Sequence, residues 1–284
     1  MIVWIASYPK SGNTLIRSML AAYFFSNDGV YNFEQLQNIQ QFPAAPIFLR
    51  MGIDLKNERE VVKNYIKAQE SFNSKNSIQF IKTHSSLFNY NNSPFTNLNN
   101  TLGVIYAVRD PRNIVTSLAN HSGISAEHAA ETMINNKAFG GKFDDEDNSE
   151  KIIVYTGRWN DNYNSWKSFK PLGKYLLIKY EDMINNRDMT LRTILKFIYQ
   201  INGKKFKINQ NKFKNVIEST TFKKMKKLEQ NQGFQEAKMN FKTGKKRTFF
   251  NLGSNNDWKK LLDPSLKIKI ENSFKKELKE LHYL

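Results

Sequence analysis

An α/β fold, with a doubly wound parallel sheet flanked by helices, follows from three features of the sequence. Short apolar runs at Ile2–Ser7, Ile78–Lys82, Gly103–Val108 and Tyr175–Lys179 are β-branched or aromatic, as buried parallel strands are. Helical patterns follow at least three of them, and a strand-then-helix rhythm points to a parallel sheet. No internal repeat and no Pro/Gly/Ser-rich linker divides the 284 residues, a length that suits one core and one domain over 1–284.

Each element has its own signal. Ile2–Ser7 lacks a basic leader and is short for a signal peptide, so it reads as a strand of a cytoplasmic protein. Thr14 to Phe25 carries Leu15, Ser18, Met19, Ala22 and Phe25 on one helical face. After the strand that ends at Val108, Asp110 is an N-cap with Pro111 at the first helical position, opening a helix to about Asn120. Asp182 is expected to cap a helix whose apolar face is Met183, Leu191, Ile194 and Ile198. Asp263-Pro264 repeats the start signal, and Leu266, Ile270, Phe274, Leu278 and Leu281 form a stripe read as core packing. Residues 26–76, 85–101 and 121–155 read as irregular, with acidic or Asn-rich pieces such as Asp144–Asp147 and Asn89–Asn92. Such excursions suit either acceptor-binding segments or solvated loops.

Composition narrows the chemistry. Hydrophobic residues at 40% and charged residues at 24% are ordinary for a globular chain, and no apolar run reaches the ~20 residues a membrane span requires. The absence of cysteine excludes disulfides, thiolate catalysis and cysteine-ligated zinc. No His/Asp/Glu group has metal-ligand spacing, so no metal is expected. The net charge of +17 is read mostly as solvated helix faces, as at Lys223, Lys224, Lys226 and Lys227 and again at Lys275, Lys276 and Lys279. No nucleic-acid recognition motif accompanies that charge, so no nucleic-acid partner is expected.

The most informative stretch is Ser7-Tyr8-Pro9-Lys10-Ser11-Gly12-Asn13-Thr14, between the first strand and the first helix. Unsatisfied N–H groups and the dipole at a helix N-terminus attract phosphate. Gly12 admits a close backbone approach, Thr14 adds a hydroxyl and Lys10 a cation. The lysine precedes the glycine, so this is not the Gly-Lys-Ser/Thr loop of nucleoside triphosphatases. Arg109 stands at a strand end and Ser117 two helical turns later, the crevice where open α/β sheets bind ligands. Lys82 and His84 end the second strand.

Taken together, these motifs resemble the sulfotransferases that use 3′-phosphoadenosine-5′-phosphosulfate (PAPS), and the resemblance runs from residue 1 to about 258 with unmatched insertions. It implies a P-loop nucleotide-binding-like architecture and a sulfuryl transfer from PAPS, without metal, to a small-molecule or glycan acceptor. By resemblance Lys10 contacts the bridging oxygen, residues Ser11, Gly12, Asn13 and Thr14 hold the 5′-phosphate, and Arg109 and Ser117 hold the 3′-phosphate. His84 would be the general base and Lys82 the contact to the sulfuryl oxygens. Tyr180, Thr220 and Phe222 resemble adenine-contacting positions, although Tyr180 also suits a packing residue, and Gly253 to Trp258 resembles a late loop near the 3′-phosphate. Two departures stand out. Leu15 replaces an adenine-stacking tryptophan, and Asn251-Leu252-Gly253 replaces Arg-Lys-Gly, with Lys245, Lys246 and Arg247 upstream as candidate substitutes. A P-loop-type kinase and a catalytically inactive nucleotide-binding protein are the competing readings, and the acceptor and oligomeric state are left open.

Overall fold

The computed structural model describes residues 1–73, 77–135, 152–240 and 243–284. The chain opens with β1 (Ile2–Ser7) and α1 (Asn13–Phe25), then α2 (Ala45–Arg50), α3 (Glu58–Lys63) and α4 (Tyr65–Asn73). Next come β2 (Gln79–Thr83), a small hairpin of β3 (Asn89–Tyr90) and β4 (Ser93–Pro94), β5 (Thr101–Val108), α5 (Pro111–Ser122) and α6 (Ala126–Asn135). Then follow α7 (Trp159–Lys167), β6 (Tyr175–Lys179), α8 (Tyr180–Asn185), α9 (Arg187–Ile201), α10 (Gln210–Ser219) and α11 (Phe222–Gln232). A hairpin of β7 (Met239–Asn240) and β8 (Lys245–Lys246) precedes α12 (Trp258–Leu261), α13 (Pro264–Ser273) and α14 (Lys275–Glu280).

The main sheet is parallel, in the order β2-β1-β5-β6. All six residues of β1 are buried because layers cover both faces. Trp4 and Ala6 face one core with Ile114 of α5, Trp159 of α7 and Leu266 of α13. Val3 and Ile5 face the other, with Ile16 of α1, Leu191 of α9 and Val216 of α10. Each Ile or Leu fully buried there contributes roughly 1.5–3 kcal/mol relative to exposure. The predicted α/β sandwich is therefore present, with all four expected strands in it.

Several local expectations need correction. Phe25 is exposed, although Leu15, Ser18, Met19 and Ala22 are buried as read. Asp182 does not cap a helix: it lies inside α8, and the chain breaks at Asn186 (ψ 56°) before α9 restarts. Lys179 is instead the N-cap of α8, and the Glu181 carboxylate accepts from the Asp110 N–H at 3.1 Å and the Tyr283 hydroxyl at 2.7 Å, fastening α8 to the start of α5 and to the C-terminus. Residues 26–76, read as irregular, contain α2 to α4, and 121–155 contains α6. Asp144–Asp147 lie outside the described residues. The C-terminal stripe is buried throughout, as expected for core packing. Among the described residues, no helix is long and apolar enough to cross a membrane.

Candidate functional site

β1 lies between β2 and β5, so chain order reverses between β1 and β5, and a crevice opens at the strands' C-terminal ends. A cavity of about 440 Å³ occupies it, bordered by Lys10, Lys82, His84, Arg109 and Tyr180, which follow or end β1, β2, β5 and β6.

The loop after β1 is shaped to enter a helix tightly. Gly12 is the N-cap of α1 at φ 100°, and its carbonyl accepts from the N–H of Leu15 and Ile16. A Cβ at Gly12 would lie 2.5 Å from Met183 Cε and 2.8 Å from Tyr180 Cδ2, so only glycine fits both the dihedral and the space. Lys10 also has positive φ, 65°, a conformation non-glycine residues hold only when neighbours enforce it. The Arg109 guanidinium donates to the Lys10 carbonyl at 3.2 Å. Asn13 spends its amide on Ile5 O (2.9 Å) and Ser7 Oγ (3.2 Å), tying the first turn back to β1. Ser11 Oγ is buried without a partner.

His84 sits across from this loop. Its Nδ1 is 2.9 Å from the carbonyl of Ser7. A carbonyl only accepts, so the proton resides on Nδ1 and the lone pair on Nε2. Burial, reinforced by the Lys82 charge, pushes the imidazole down to about 3, while the Ser7 bond pulls the other way. It is therefore a free base at neutral pH. Asn162 of α7 donates to the His84 carbonyl at 2.9 Å and fixes the backbone beneath. Lys10 Nζ lies 3.8 Å from the centroid of the Phe249 ring. Burial lowers Lys10 to about 7, Glu236 partly offsets this, and Arg109 and Lys82 lower it further.

At the far end of the cavity, Arg109 stacks over the Tyr180 ring at 4.1 Å and Ser117 of α5 lines the wall. Phe222 lies against Gly253, where a Cβ would meet its ring at 2.7 Å, and both border the cavity with Leu15 and Asn251. Thr220 departs from expectation. It is fully buried outside the cavity wall, donates to Val216 O at 2.7 Å and accepts from Arg187 Nη2 at 2.8 Å. Arg187 lines the cavity instead, with its Nε buried and unpartnered. Nor do the candidate substitutes enter: Lys245 and Lys246 form the exposed β8, and Arg247 covers Gly123. The extra guanidinium of this cavity is that of Arg187, at the start of α9.

Comparison with known proteins bears on this geometry. The sulfotransferase domain family matches residues 2–282. The chain belongs to the sulfotransferase family. Among relatives, the luciferin sulfotransferase of Photinus pyralis is 23% identical over 283 residues, covering 96% of this chain and 70% of that protein. The flavonol 3-sulfotransferase of Flaveria bidentis is also 23% identical, covering 97% and 81%. Retinol dehydratase in complex with androsterone and the inactive cofactor 3′-phosphoadenosine-5′-phosphate (PAP) shares the fold, with TM-score 0.60 at 17% identity over 98% of this chain and 80% of that one. A mouse sulfotransferase complexed with PAP does too, with TM-score 0.57 at 17% identity over 98% and 84%. In this sulfotransferase the cavity is lined by Lys10, Gly12, Asn13, Thr14, Lys82, His84, Arg109, Ser117, Tyr180, Phe222 and Gly253 of the sequence-derived candidates, but not by Ser11, Thr220, Lys245, Lys246 or Arg247. Sequence reasoning missed Glu236, Arg17, Arg187 and His121. His121 follows Ser117 by one helical turn, so a helical projection would have found it. It borders the cavity edge-on to Phe249 and is held down to about 3 by burial, then by Lys10 and Lys238.

Proposed function

We propose that this sulfotransferase takes the sulfuryl group of PAPS and transfers it in line to a hydroxyl, or an amine, of a small-molecule acceptor, working as one domain. The observation that carries the reading is His84, whose Nδ1–H is committed to Ser7 O beside Lys82 and Lys10. The fit to PAPS is supported by two cavity-lining guanidinium groups whose buried Nε donors lack protein partners, those of Arg109 and Arg187.

When bound, PAPS supplies the sulfuryl group and departs as PAP. His84 receives the acceptor's proton at Nε2, a general-base contribution of about 10²–10⁴-fold. Lys10 and Lys82 stabilise negative charge in a desolvated site, an effect of a few kcal/mol. The first-turn N–H groups of α1, with Gly12, Asn13 and Thr14, hold the 5′-phosphate, and Arg109 and Ser117 hold the 3′-phosphate. Tyr180, Phe222 and Gly253 bound the adenine, with Arg187 in the place expected of Thr220. Relatives named for luciferin and a flavonol favour a small molecule over a glycan.

Calorimetric titration with PAP, ADP and ATP, with and without Mg²⁺, tests the reading. Tight binding confined to PAP is expected. ATP binding that requires Mg²⁺, with none of PAP, would replace it with a kinase.

A further inference from the structure

Glu236, on the segment after α11, has no task in this mechanism, yet its carboxylate accepts from three side chains at the cavity wall. Arg17 Nη1 and Lys82 Nζ both reach Oε1, at 2.5 and 2.8 Å, and the Thr14 hydroxyl donates to Oε2 at 3.0 Å. The side chains of Arg17 and Lys82 are only 6% and 10% exposed, against 25% for Glu236, and Lys82, Thr14 and Glu236 all line the cavity.

A buried lysine readily sheds its proton, and a neutral amine would leave sulfuryl oxygens without a counter-charge. The charged or titratable groups facing Lys82 come from each packed element: Arg17 from α1, Lys10 from the loop after β1, His84 from the end of β2, and Glu236. Of these Glu236 alone is negative. Burial lowers Lys82, Glu236 pulls it back up and Arg17 lowers it again. Burial by itself would raise Glu236, but Lys82 and Arg17 outweigh that and hold it far below the usual carboxylate range. One of the three N–H donors of Lys82 is spent on Glu236, which leaves two for oxygens in the cavity.

We propose that Glu236 is a positioning residue for sulfuryl transfer, its carboxylate keeping Lys82 an ammonium ion and aiming it into the cavity, with Arg17 and Thr14 clamping the carboxylate in place. The proposal rests on the assignment of Lys82 to the sulfuryl oxygens. It assigns a function to a half-buried acid in an otherwise cationic site, where a carboxylate opposes the binding of an anion unless it serves a cation.

The charge state of Lys82 can be read without acceptor or co-substrate. Trace acetylation by acetic anhydride across pH, followed by peptide mass spectrometry, gives the titration midpoint of each lysine in the full chain. In Glu236→Gln the Lys82 midpoint is expected to fall by about one pH unit or more, so that labelling at pH 8 is about tenfold faster. Glu236→Asp, which keeps the charge, should hold the midpoint near its native position. Arg17→Gln removes a like charge and should move it upward, an opposite sign that keeps the proposal open to refutation if Glu236→Gln does not fold. An unmoved midpoint in Glu236→Gln, or no rise in Arg17→Gln, overturns it. So does tighter PAP binding by Glu236→Gln with an unchanged Lys82 midpoint, which would make the carboxylate a stand-in for the nucleotide's anion. Failure of the native chain to bind PAP would sink the proposed function separately, because the Lys82 titration does not depend on it.

Discussion

Lys10 is held in a left-handed backbone conformation, over the Phe249 ring, where burial brings it down to about 7. At pH 8 most of the ammonium is therefore gone in the free protein. A phosphate oxygen arriving beside it restores the charge, so PAP binding should take up a proton from solvent at pH 8 and fewer at pH 6. Titrations in two buffers of different ionisation enthalpy measure that uptake, and Lys10→Met should abolish it while weakening binding. Equal enthalpies in both buffers would mean that Lys10 does not respond to the nucleotide. His84 is the mirror case, a neutral base rather than a neutral cation. Its imidazole should stay unprotonated to about pH 5 in nitrogen-resolved NMR, since burial and Lys82 keep it at about 3. His84→Ala should lose about 10²–10⁴-fold in turnover with PAP affinity nearly intact. Activity that survives in this variant would remove His84 from the chemistry.

At the scale of elements, the late loop depends on α5. Thr116 Oγ1 donates to Asn256 Oδ1 at 2.5 Å, Asn256 Nδ2 donates to Asn113 O at 2.8 Å, and the Trp258 N–H donates to Asn113 Oδ1 at 2.8 Å. Asn256→Ala cuts two of these, at a cost of order 1 kcal/mol each. The loop carrying Asn251 and Gly253 should loosen, so PAP affinity should fall several-fold in calorimetry, with a smaller change in thermal midpoint. An unchanged affinity would detach this loop from the nucleotide site. This coupling also marks where the sequence was readable. Strands, the Gly12 loop, Arg109 with Ser117, and Lys82 with His84 all lie within short stretches whose spacing carries geometry. Glu236 does not: it stands 154 residues from Lys82 on a segment without periodicity, and only folding brings them together. Thr220 misled because its hydroxyl is turned back onto the helix, to Val216 O four residues earlier, and is also taken by Arg187, a partner that no local pattern announces. Asp182 misled because the helix already begins at Tyr180, placed there as β6 ends and Glu181 reaches Asp110 and Tyr283 across the fold, and the apolar face is split between α8 and α9.

For the whole molecule, the site is built at the expense of acid stability. α5 is braced from below by the buried pair of Arg112 with Asp110, at 2.7 Å, and by Glu271 of α13, at 2.6 Å. Above it, His84 and His121 are both kept neutral, each at about 3 against an ordinary 6.5. Between pH 6.5 and about 3 the unfolded chain binds protons on these imidazoles that the folded chain refuses. Stability therefore rises with pH through that window and falls as the solution is acidified. Glu236 acts in the same direction at lower pH, because its carboxylate is depressed from 4.5 and its ion pairs are lost once protonated. The thermal midpoint should thus decline from pH 6.5 downward, earlier than carboxylate titration alone would cause. His121→Gln should flatten the decline between pH 6.5 and 5 without removing the base at His84. PAP should flatten it as well, since anions beside the imidazoles raise their proton affinity in the folded state. Calorimetric scans of the free and PAP-bound protein at several pH values decide the matter. A midpoint that stays level from pH 7 to 5 would mean that both imidazoles titrate in the folded protein near their ordinary 6.5, so that His84 would lose its lone pair below that pH instead of keeping it to about pH 5.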